Sequence, residues 1–149
     1  MSPFSHLPEP QKLPILVIED LDEDYETVAE AAQQAGIPNT LVRARTLAEA
    51  QAAVAPSECE FSFVILDVNL PDGMGADFVR ILRSEDALCA VPIVVFSTSD
   101  SPRDLVDLYK AGASAYHVKA LRYQDNISTL KLVFSYWLSA VRLSQRATS

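Results

Sequence analysis

Positive charge is scarce in this sequence. Its 149 residues include 12 lysines and arginines against 20 aspartates and glutamates, so the formal net charge is −8 at pH 7. Proteins that bind a nucleic-acid backbone need a clustered basic surface, because their contacts neutralise phosphate charges. The composition therefore argues against a nucleic-acid partner and favours a protein partner or a cation.

Cysteine and long apolar runs are scarce as well. The two cysteines, Cys59 and Cys89, lack the spacing of metal ligands, and no N-terminal apolar segment resembles a signal peptide. No run approaches the roughly 18 apolar residues that a membrane span requires. We therefore expect a soluble protein of the reducing cytoplasm that does not enter a membrane.

The length and the 49% hydrophobic content suit one globular domain with a full core. Residues 1–12 carry three prolines and little apolar periodicity, which predicts a flexible N-terminal tail. We expect the folded domain over residues 13–143 and a C-terminal tail over residues 144–149.

Short apolar runs alternate with helical patterns along this domain. The runs lie at residues 15–18, 40–44, 61–66, 93–96 and 115–118. Those at residues 15–18 and 93–96 are unbroken, as in strands buried on both faces. Helical periodicity and capping signals predict helices at residues 25–35, 46–54, 76–83, 102–111 and 125–143. This alternation predicts an α/β fold, a doubly wound five-stranded parallel sheet with helices on both faces.

Four of the five predicted strands end at a polar residue. Glu19 and Asp20 follow the first strand, Asp67 the third, Ser97 the fourth and Lys119 the fifth. In open α/β sheets, ligands bind outside the carboxyl ends of the strands. Three carboxylates converging there would repel one another, and a hard divalent cation such as Mg²⁺ would relieve the repulsion. A lysine and a hydroxyl beside them suit a phosphoryl group.

Over residues 13–143 the sequence resembles the receiver domain of two-component response regulators. The resemblance rests on Val17-Ile18-Glu19-Asp20, Ile65-Leu66-Asp67-Val68-Asn69-Leu70-Pro71 with Gly75, Ile93-Val94-Val95-Phe96-Ser97, and Ala111-Gly112-Ala113-Ser114-Ala115-Tyr116-His117-Val118-Lys119. It implies a flavodoxin-like (βα)5 fold and a single-domain response regulator that accepts a phosphoryl group from a histidine kinase.

The resemblance also implies roles for the polar residues. Asp67 would be the phosphoacceptor. Asp20 and Asp67 would bind Mg²⁺ directly, Glu19 would bind it mostly through water, and the backbone carbonyl of Asn69 would complete the protein ligands. Such a protein is not an enzyme with a separate substrate, although it catalyses its own phosphotransfer and autodephosphorylation.

Three further residues would couple phosphorylation to signalling. The resemblance implies that Lys119 pairs with one phosphoryl oxygen and that the Ser97 hydroxyl moves to another. Tyr116 would then follow inward and change the face formed by the fourth helix, fifth strand and fifth helix. The sequence departs from the family pattern at Glu19, where Asp is commoner, at Ser97, where Thr is more frequent, and at Ala120, where Pro is usual. No reacting group is lost.

A narrower resemblance concerns the upstream partner. The Ser97-Thr98-Ser99 run, Lys119 without a following Pro, and Phe134-Ser135-Tyr136-Trp137-Leu138 resemble response regulators that are paired with phytochrome histidine kinases. This resemblance implies a red-light sensor kinase as the phosphoryl donor.

The predicted last helix has two apolar faces, whereas a surface helix in a monomer needs one. The face expected to cover the sheet comprises Ile127, Leu130, Phe134, Trp137, Leu138 and Val141. The opposite face comprises Leu132, Val133, Tyr136, Ala140 and Leu143. An exposed apolar patch usually marks an association site, so we expect a homodimer through this helix. The alternative is that the C-terminal tail folds back over the patch.

Other interpretations remain open at this stage. A receiver-like module could bind proteins without being phosphorylated, and a phosphohydrolase of the haloacid dehalogenase type could also use an aspartate nucleophile. The latter needs an Asp two residues after the nucleophile, where this sequence has Asn69. Asp22, Glu23 and Asp24 are interpreted as charges at a helix start rather than as ligands. His117 is interpreted as a packed or surface histidine.

Overall fold

The computed structural model describes residues 2–55, 60–85 and 90–144. Cys59, Cys89 and residues 145–149 of the expected C-terminal tail lie outside the described residues. The strands are β1 (Ile15–Ile18), β2 (Leu41–Ala44), β3 (Val64–Leu66), β4 (Asn69–Leu70), β5 (Gly73–Met74), β6 (Ile93–Ser97) and β7 (Ala115–Val118). The helices are α1 (Glu9–Lys12), α2 (Asp22–Ala35), α3 (Leu47–Val54), α4 (Gly75–Ser84), α5 (Pro102–Ala111) and α6 (Tyr123–Ser135), and a π-helical segment (Tyr136–Ala140) follows α6.

Five of the strands form one parallel sheet in the order β2-β1-β3-β6-β7. Ile18 pairs with Leu66, and Leu66 pairs with Val95, so the carboxyl ends of the central strands lie side by side. The predicted doubly wound parallel sheet is confirmed. Within the described part of the chain, no helix combines the length and the apolar character needed to cross a membrane.

The central strands supply two apolar clusters, one on each face of the sheet. Leu16 and Ile18 of β1 belong to a cluster with residues of α3, α4 and α5. Ile15 and Val17 belong to the other cluster, with residues of α2 and α6. All four β1 side chains are buried, which is why this strand is a continuous apolar run.

A short antiparallel hairpin, β4–β5, follows the third strand of the sheet, and the sequence did not predict it. Its turn residue Asp72 accepts hydrogen bonds from the backbone N–H groups of Leu47 (2.8 Å) and Ala48 (3.0 Å) at the start of α3. These hydrogen bonds hold the pKa of Asp72 below its usual value. The Thr46 hydroxyl also caps α3 by accepting from the Glu49 N–H at 3.1 Å. The hairpin is therefore anchored to a neighbouring helix.

The N-terminal segment departs from the expectation of a flexible tail. Phe4 and Leu7 are buried in the α2–α6 cluster, and α1 follows them. The buried Gln11 donates a hydrogen bond from Nε2 to the carbonyl oxygen of Val141, 130 residues away, at 2.8 Å. The Asn39 side chain in turn donates to the Gln11 carbonyl at 2.7 Å. Apolar periodicity over so few residues could not reveal these contacts, because their partners are distant in the sequence.

The prediction of an unbroken helix over residues 125–143 is wrong at its C-terminal end. The α-helix ends at Ser135, and the chain continues as the π-helical segment, in which the Val141 N–H donates to the Tyr136 carbonyl at 3.1 Å. This wider turn changes the rotation of the chain, and Val141 has an extended backbone. The helical faces drawn for a regular α-helix therefore do not hold beyond Ser135.

The predicted exposed face of the last helix is also wrong at Val133. Its side chain is only 3% exposed, whereas Leu132 is 72% and Tyr136 51% exposed. Val133 lies three residues after the buried Leu130 and shares its face, because side chains at this spacing are neighbours on a helix. Val133 belongs to the buried cluster between the sheet and α6 and lies beside Ala115 and His117 of β7, so the buried stripe of the helix extends further towards β7 than expected.

Replacing Gln11 by alanine is expected to lower the free energy of unfolding by about 1 kcal/mol, because the half-buried carbonyl of Val141 loses its hydrogen bond from the buried Gln11 side chain. Equilibrium urea denaturation measures the loss. Lys12→Ala is the matched control. Lys12 is exposed and pairs with the exposed Glu9, so this substitution should change the free energy by less than about 0.5 kcal/mol. Equal small losses in both variants would contradict a stabilising clasp, that is, the hydrogen bond that joins the Gln11 side chain to the Val141 carbonyl.

Candidate functional site

Three carboxylates meet at the carboxyl edge of the sheet. Glu19 and Asp20 follow β1, Asp67 follows β3, and one carboxylate oxygen from each lies within 4.8 Å of the others. Backbone hydrogen bonds extend the ladder beyond both strands. Glu19 N donates to the Ala44 carbonyl at 2.9 Å, and Asp67 N donates to the Ile18 carbonyl at 3.1 Å. The sheet thus holds the three acidic residues that the sequence singled out in one small volume.

The two carboxylate oxygens of Asp67 have different surroundings. Oδ1 accepts a hydrogen bond from the Val68 N–H at 2.7 Å. Oδ2 faces the ammonium group of Lys119 at 3.6 Å, which is beyond hydrogen-bond distance. The side chain is 12% exposed. One oxygen is therefore held in place by the backbone, while the other faces a positive charge.

Glycine is required where α4 begins, beside Asp67. A Cβ atom on Gly75 would lie 2.9 Å from the Asp67 carbonyl oxygen and 3.3 Å from the Val68 Cα. The Gly75 N–H donates to the Val68 carbonyl at 2.8 Å, which closes the hairpin onto the end of β3. The Gly75 of the sequence motif therefore lets α4 start against the backbone of the central acid.

Lys119 lies among the carboxylates, with 6% of its side chain exposed. Its ammonium donates to Glu19 Oε1 at 2.7 Å and to Asp24 Oδ2 at 2.8 Å. Sequence reasoning missed Asp24, which it treated as a helix-start charge. Only the docking of α2 against the sheet shows that Asp24, and not the exposed Glu23, faces Lys119.

The charges of the site suit a cation. Burial raises the pKa of Glu19 to about 7, and the nearby Asp67 charge raises it too, although Lys119 acts in the opposite direction. Burial alone would lower the pKa of Lys119, but hydrogen bonds to Asp24 and Glu19 outweigh it and raise that pKa above its usual value. The site thus contains one ammonium group and four carboxylates, those of Glu19, Asp20, Asp24 and Asp67. Carboxylate oxygens are ligands that suit a hard divalent cation.

Ser97 and Tyr116 are linked through a residue to which the sequence analysis gave no role of its own. The buried Ser97 accepts a hydrogen bond on its hydroxyl from the Ser99 N–H at 3.3 Å. The half-buried Tyr116 donates its hydroxyl hydrogen to the Ser99 carbonyl at 2.8 Å. Burial raises the pKa of Tyr116. Lys119 joins the same group, because its N–H donates to the Ser97 carbonyl at 2.7 Å.

The loop after Lys119 is held by a single side chain. Asn126 accepts from the Ala120 N–H at 2.7 Å and donates to the Ala120 carbonyl at 3.0 Å. On the other side of the site, Asn69 lies in β4 with its side chain exposed and pairs with Met74. The segments that follow Asp67 and Lys119 are therefore each ordered by local hydrogen bonds.

A second surface feature lies away from the acids, between β7 and the last helix. A cavity of about 200 Å³ is lined by Ala115, His117, Leu132, Val133, Tyr136 and Trp137. Burial lowers the pKa of His117, in keeping with its interpretation as a packed histidine. Of the residues predicted for a dimer interface, Leu132, Tyr136 and Ala140 are exposed and Leu143 is partly exposed.

Comparisons with known proteins agree with this geometry. A family model described as the response regulator receiver domain matches residues 15–131. Response regulator Rcp1 of Synechocystis sp. is 28% identical over 134 residues, which cover 87% of this chain and 91% of Rcp1. The crystal structure of the phosphorylated cyanobacterial phytochrome response regulator RcpA superposes with a TM-score of 0.84 at 26% identity, covering 90% of this chain and 99% of RcpA. The Mn²⁺-bound form of Rcp1 superposes with a TM-score of 0.82 at 26% identity and the same coverage.

Proposed function

This chain belongs to the response regulator receiver family, and from that membership we propose that Asp67 accepts a phosphoryl group from a histidine kinase. The observation that supports this role is the placement of the Asp67 carboxylate. One oxygen is held by the Val68 N–H, and the other faces a buried ammonium at 3.6 Å, beside two further carboxylates. Such an arrangement orients an oxygen nucleophile and places the positive charge of Lys119 close to the position that a phosphoryl group would occupy.

The proposed reaction needs little covalent help from the protein. A carboxylate oxygen of Asp67 attacks the phosphorus of a phosphohistidine, so an O–P bond forms while the N–P bond breaks. The histidine nitrogen keeps the bonding electron pair and later takes up a proton. Lys119 places its positive charge where negative charge accumulates on the phosphoryl oxygens. Attack of water on the phosphorus of the acyl phosphate would return Asp67 to its free form, and the protein would supply the same positioning for that step.

Glu19, Asp20 and Asp67 fit a divalent cation, and we assign them to Mg²⁺ together with the backbone carbonyl of Asn69. When bound, Mg²⁺ neutralises phosphoryl oxygens during transfer. The support comes from the donor set itself, which consists of oxygen atoms within 4.8 Å of one another and a glutamate whose pKa is raised to about 7. A cation would favour the ionised form of that glutamate.

The signal would leave the site through the strand ends. Ser97 and Tyr116 share Ser99 as a hydrogen-bond partner, so a movement of the Ser97 hydroxyl towards the phosphoryl group would disturb the Tyr116 contact. Tyr116 lies in β7 and packs against the apolar cluster that includes Leu108 of α5. The output surface would be the face formed by α5, β7 and α6, which correspond to the fourth helix, fifth strand and fifth helix of the sequence prediction.

The proposed phosphoryl donor is a phytochrome histidine kinase acting in the cytoplasm. The similarity to a structure described as a cyanobacterial phytochrome response regulator supports this choice. Transfer from such a kinase should depend on its light state, and equal transfer under red and far-red light would count against it.

Incubation with acetyl phosphate and Mg²⁺ tests the proposed function without a kinase. Intact-mass spectrometry should show a gain of one phosphoryl group, which EDTA prevents. A mass that stays unchanged at saturating acetyl phosphate, in protein with an intact fold by circular dichroism, would favour the alternative of an unphosphorylated binding module.

We also propose a homodimer through the last helix, because exposed Leu132 and Tyr136 border the cavity between this helix and β7. Leu132→Glu with Tyr136→Glu should shift sedimentation towards the monomer. The buried Val133 is left unchanged, since its replacement would damage the core. Lys131→Glu, at an exposed neighbouring position, is the control and should leave the dimer intact. A wild type that stays monomeric at high micromolar concentration, with and without phosphorylation, would refute the dimer.

A further inference from the structure

The ammonium of Lys119 has a partner that phosphoryl transfer does not require. Asp24 Oδ2 lies 2.8 Å from Lys119 Nζ, whereas Asp67 Oδ2 lies 3.6 Å away. Asp24 and Lys119 are 95 residues apart in the sequence, so the contact is a product of the fold. In the unphosphorylated protein the ammonium is therefore hydrogen-bonded to Glu19 and to Asp24 at the start of α2, whereas it forms only a longer ion pair with the acceptor.

A phosphoryl group on Asp67 would have to compete for this ammonium. A lysine has three N–H donors, and two of them are engaged with Glu19 and Asp24. The Lys119 side chain is 6% exposed, and that of Asp24 is 31% exposed, so water screens the pair only partly. Hydrogen bonds between charged groups are stronger than neutral ones, and moving the ammonium wholly towards a phosphoryl oxygen would lengthen or break one of them.

The start of α2 is itself held in place. The carboxylate of Asp22 accepts hydrogen bonds from Arg43 at 2.8 Å and from Arg45 at 2.7 Å. Arg43 also donates from Nε to the Glu19 carbonyl at 3.1 Å, which joins the helix start to the end of β1. Asp24 therefore cannot readily follow the ammonium towards Asp67, and the flexible lysine side chain is the part that moves.

We propose that Asp24 is a positioning residue that retains Lys119 in the unphosphorylated state and opposes its transfer to the phosphoryl group. The proposal rests on the proposed function and adds a regulatory element to it. Breaking the Lys119–Asp24 hydrogen bond costs free energy, and this cost reduces the net free energy gained when Lys119 binds the phosphoryl group. Phosphorylation then exchanges a Lys119–Asp24 pair for a Lys119–phosphoryl pair.

The test is the affinity for beryllium fluoride in saturating Mg²⁺, since this complex mimics a phosphoryl group on a carboxylate. Asp24→Asn should bind it about tenfold more tightly than the wild type, because the ammonium no longer has to leave a carboxylate. Glu23→Gln is the matched control. It removes one negative charge from the adjacent, exposed position of the same helix turn, and it therefore reports the general effect of lowering the local charge. Tightening in Asp24→Asn that does not exceed the effect of Glu23→Gln would overturn the proposal.

Two further variants separate the pair from other effects of the substitution. Asp24→Glu keeps the carboxylate and should retain the wild-type affinity. Equal tightening in Asp24→Glu and Asp24→Asn would overturn the proposal, because it would trace the effect to shape and not to charge. In a Lys119→Ala background, Asp24→Asn should have no effect beyond that of Glu23→Gln, and a persisting tenfold gain would refute a role through Lys119. Phosphorylation of the wild type by acetyl phosphate tests the proposed function separately, so the two proposals can fail independently.

Discussion

Asp67→Asn is expected to abolish the mass gain of one phosphoryl group on incubation with acetyl phosphate and Mg²⁺. The amide oxygen can still accept the Val68 N–H, so the local geometry should persist, but the amide lacks the anionic oxygen that attacks phosphorus. Intact-mass spectrometry gives the result directly.

Asp72→Asn is the control for this substitution. Asp72 lies five positions later, in an exposed turn, and its carboxylate caps α3 instead of facing Lys119. It should gain the phosphoryl mass as the wild type does. A phosphorylated Asp67→Asn protein, with the modification mapped to another residue, would show that the acceptor has been misassigned.

Asp20→Ala is expected to lose Mg²⁺ affinity and phosphorylation together, with affinity falling at least about tenfold because a carboxylate ligand is removed. Among the described residues, the hydrogen bonds of the Lys119 ammonium go to Glu19 and Asp24 and do not involve Asp20. The substitution therefore removes a metal ligand without disturbing the lysine. Calorimetric titration with Mg²⁺ and intact-mass analysis of the same samples provide the two readouts.

The metal-free stability of Asp20→Ala distinguishes a metal ligand from a helix cap. Removing one of three mutually repelling carboxylates should raise the thermal midpoint in EDTA, whereas losing a cap would lower it. Added Mg²⁺ should stabilise the wild type and leave the variant almost unchanged. Full phosphorylation of Asp20→Ala would overturn the metal assignment.

The predictable part of this fold depends on local pattern. The run at residues 15–18 is strand β1 with the predicted bounds, because an unbroken apolar segment between turn signals has few alternatives. The strand predicted at residues 115–118 is β7, also with the predicted bounds. The helix over residues 102–111 also has its predicted bounds, since Pro102 stands at its start and Gly112 follows its end with φ +118°. Acidic residues that directly follow parallel strands lie at the carboxyl edge of the sheet, so the meeting of Glu19, Asp20 and Asp67 there could be predicted.

The missed features depend on contacts between distant segments. Asp24 and Glu23 are neighbouring acids on α2, and which of them faces Lys119 depends on the rotation of α2 about its own axis. The local sequence does not specify that rotation. Val133 is buried in the cluster between α6 and the sheet, beside Ala115 and His117 of β7. The π-helical segment after Ser135 and the clasp at Gln11 could not be predicted either, because they depend on contacts between residues 4–11 and residues 136–141.

The clasp between Gln11 and Val141 has a consequence for the order of folding during synthesis. Phe4, Leu7 and Gln11 leave the ribosome before any strand of the sheet, yet their cluster includes Leu138, and the carbonyl that binds Gln11 belongs to Val141. The segment at residues 4–11 therefore cannot complete its packing until Leu138 and Val141 have been synthesised. Until then, two large apolar side chains remain accessible to chaperones and to other nascent chains, and the N-terminal segment should be among the last to gain protection from proteolysis.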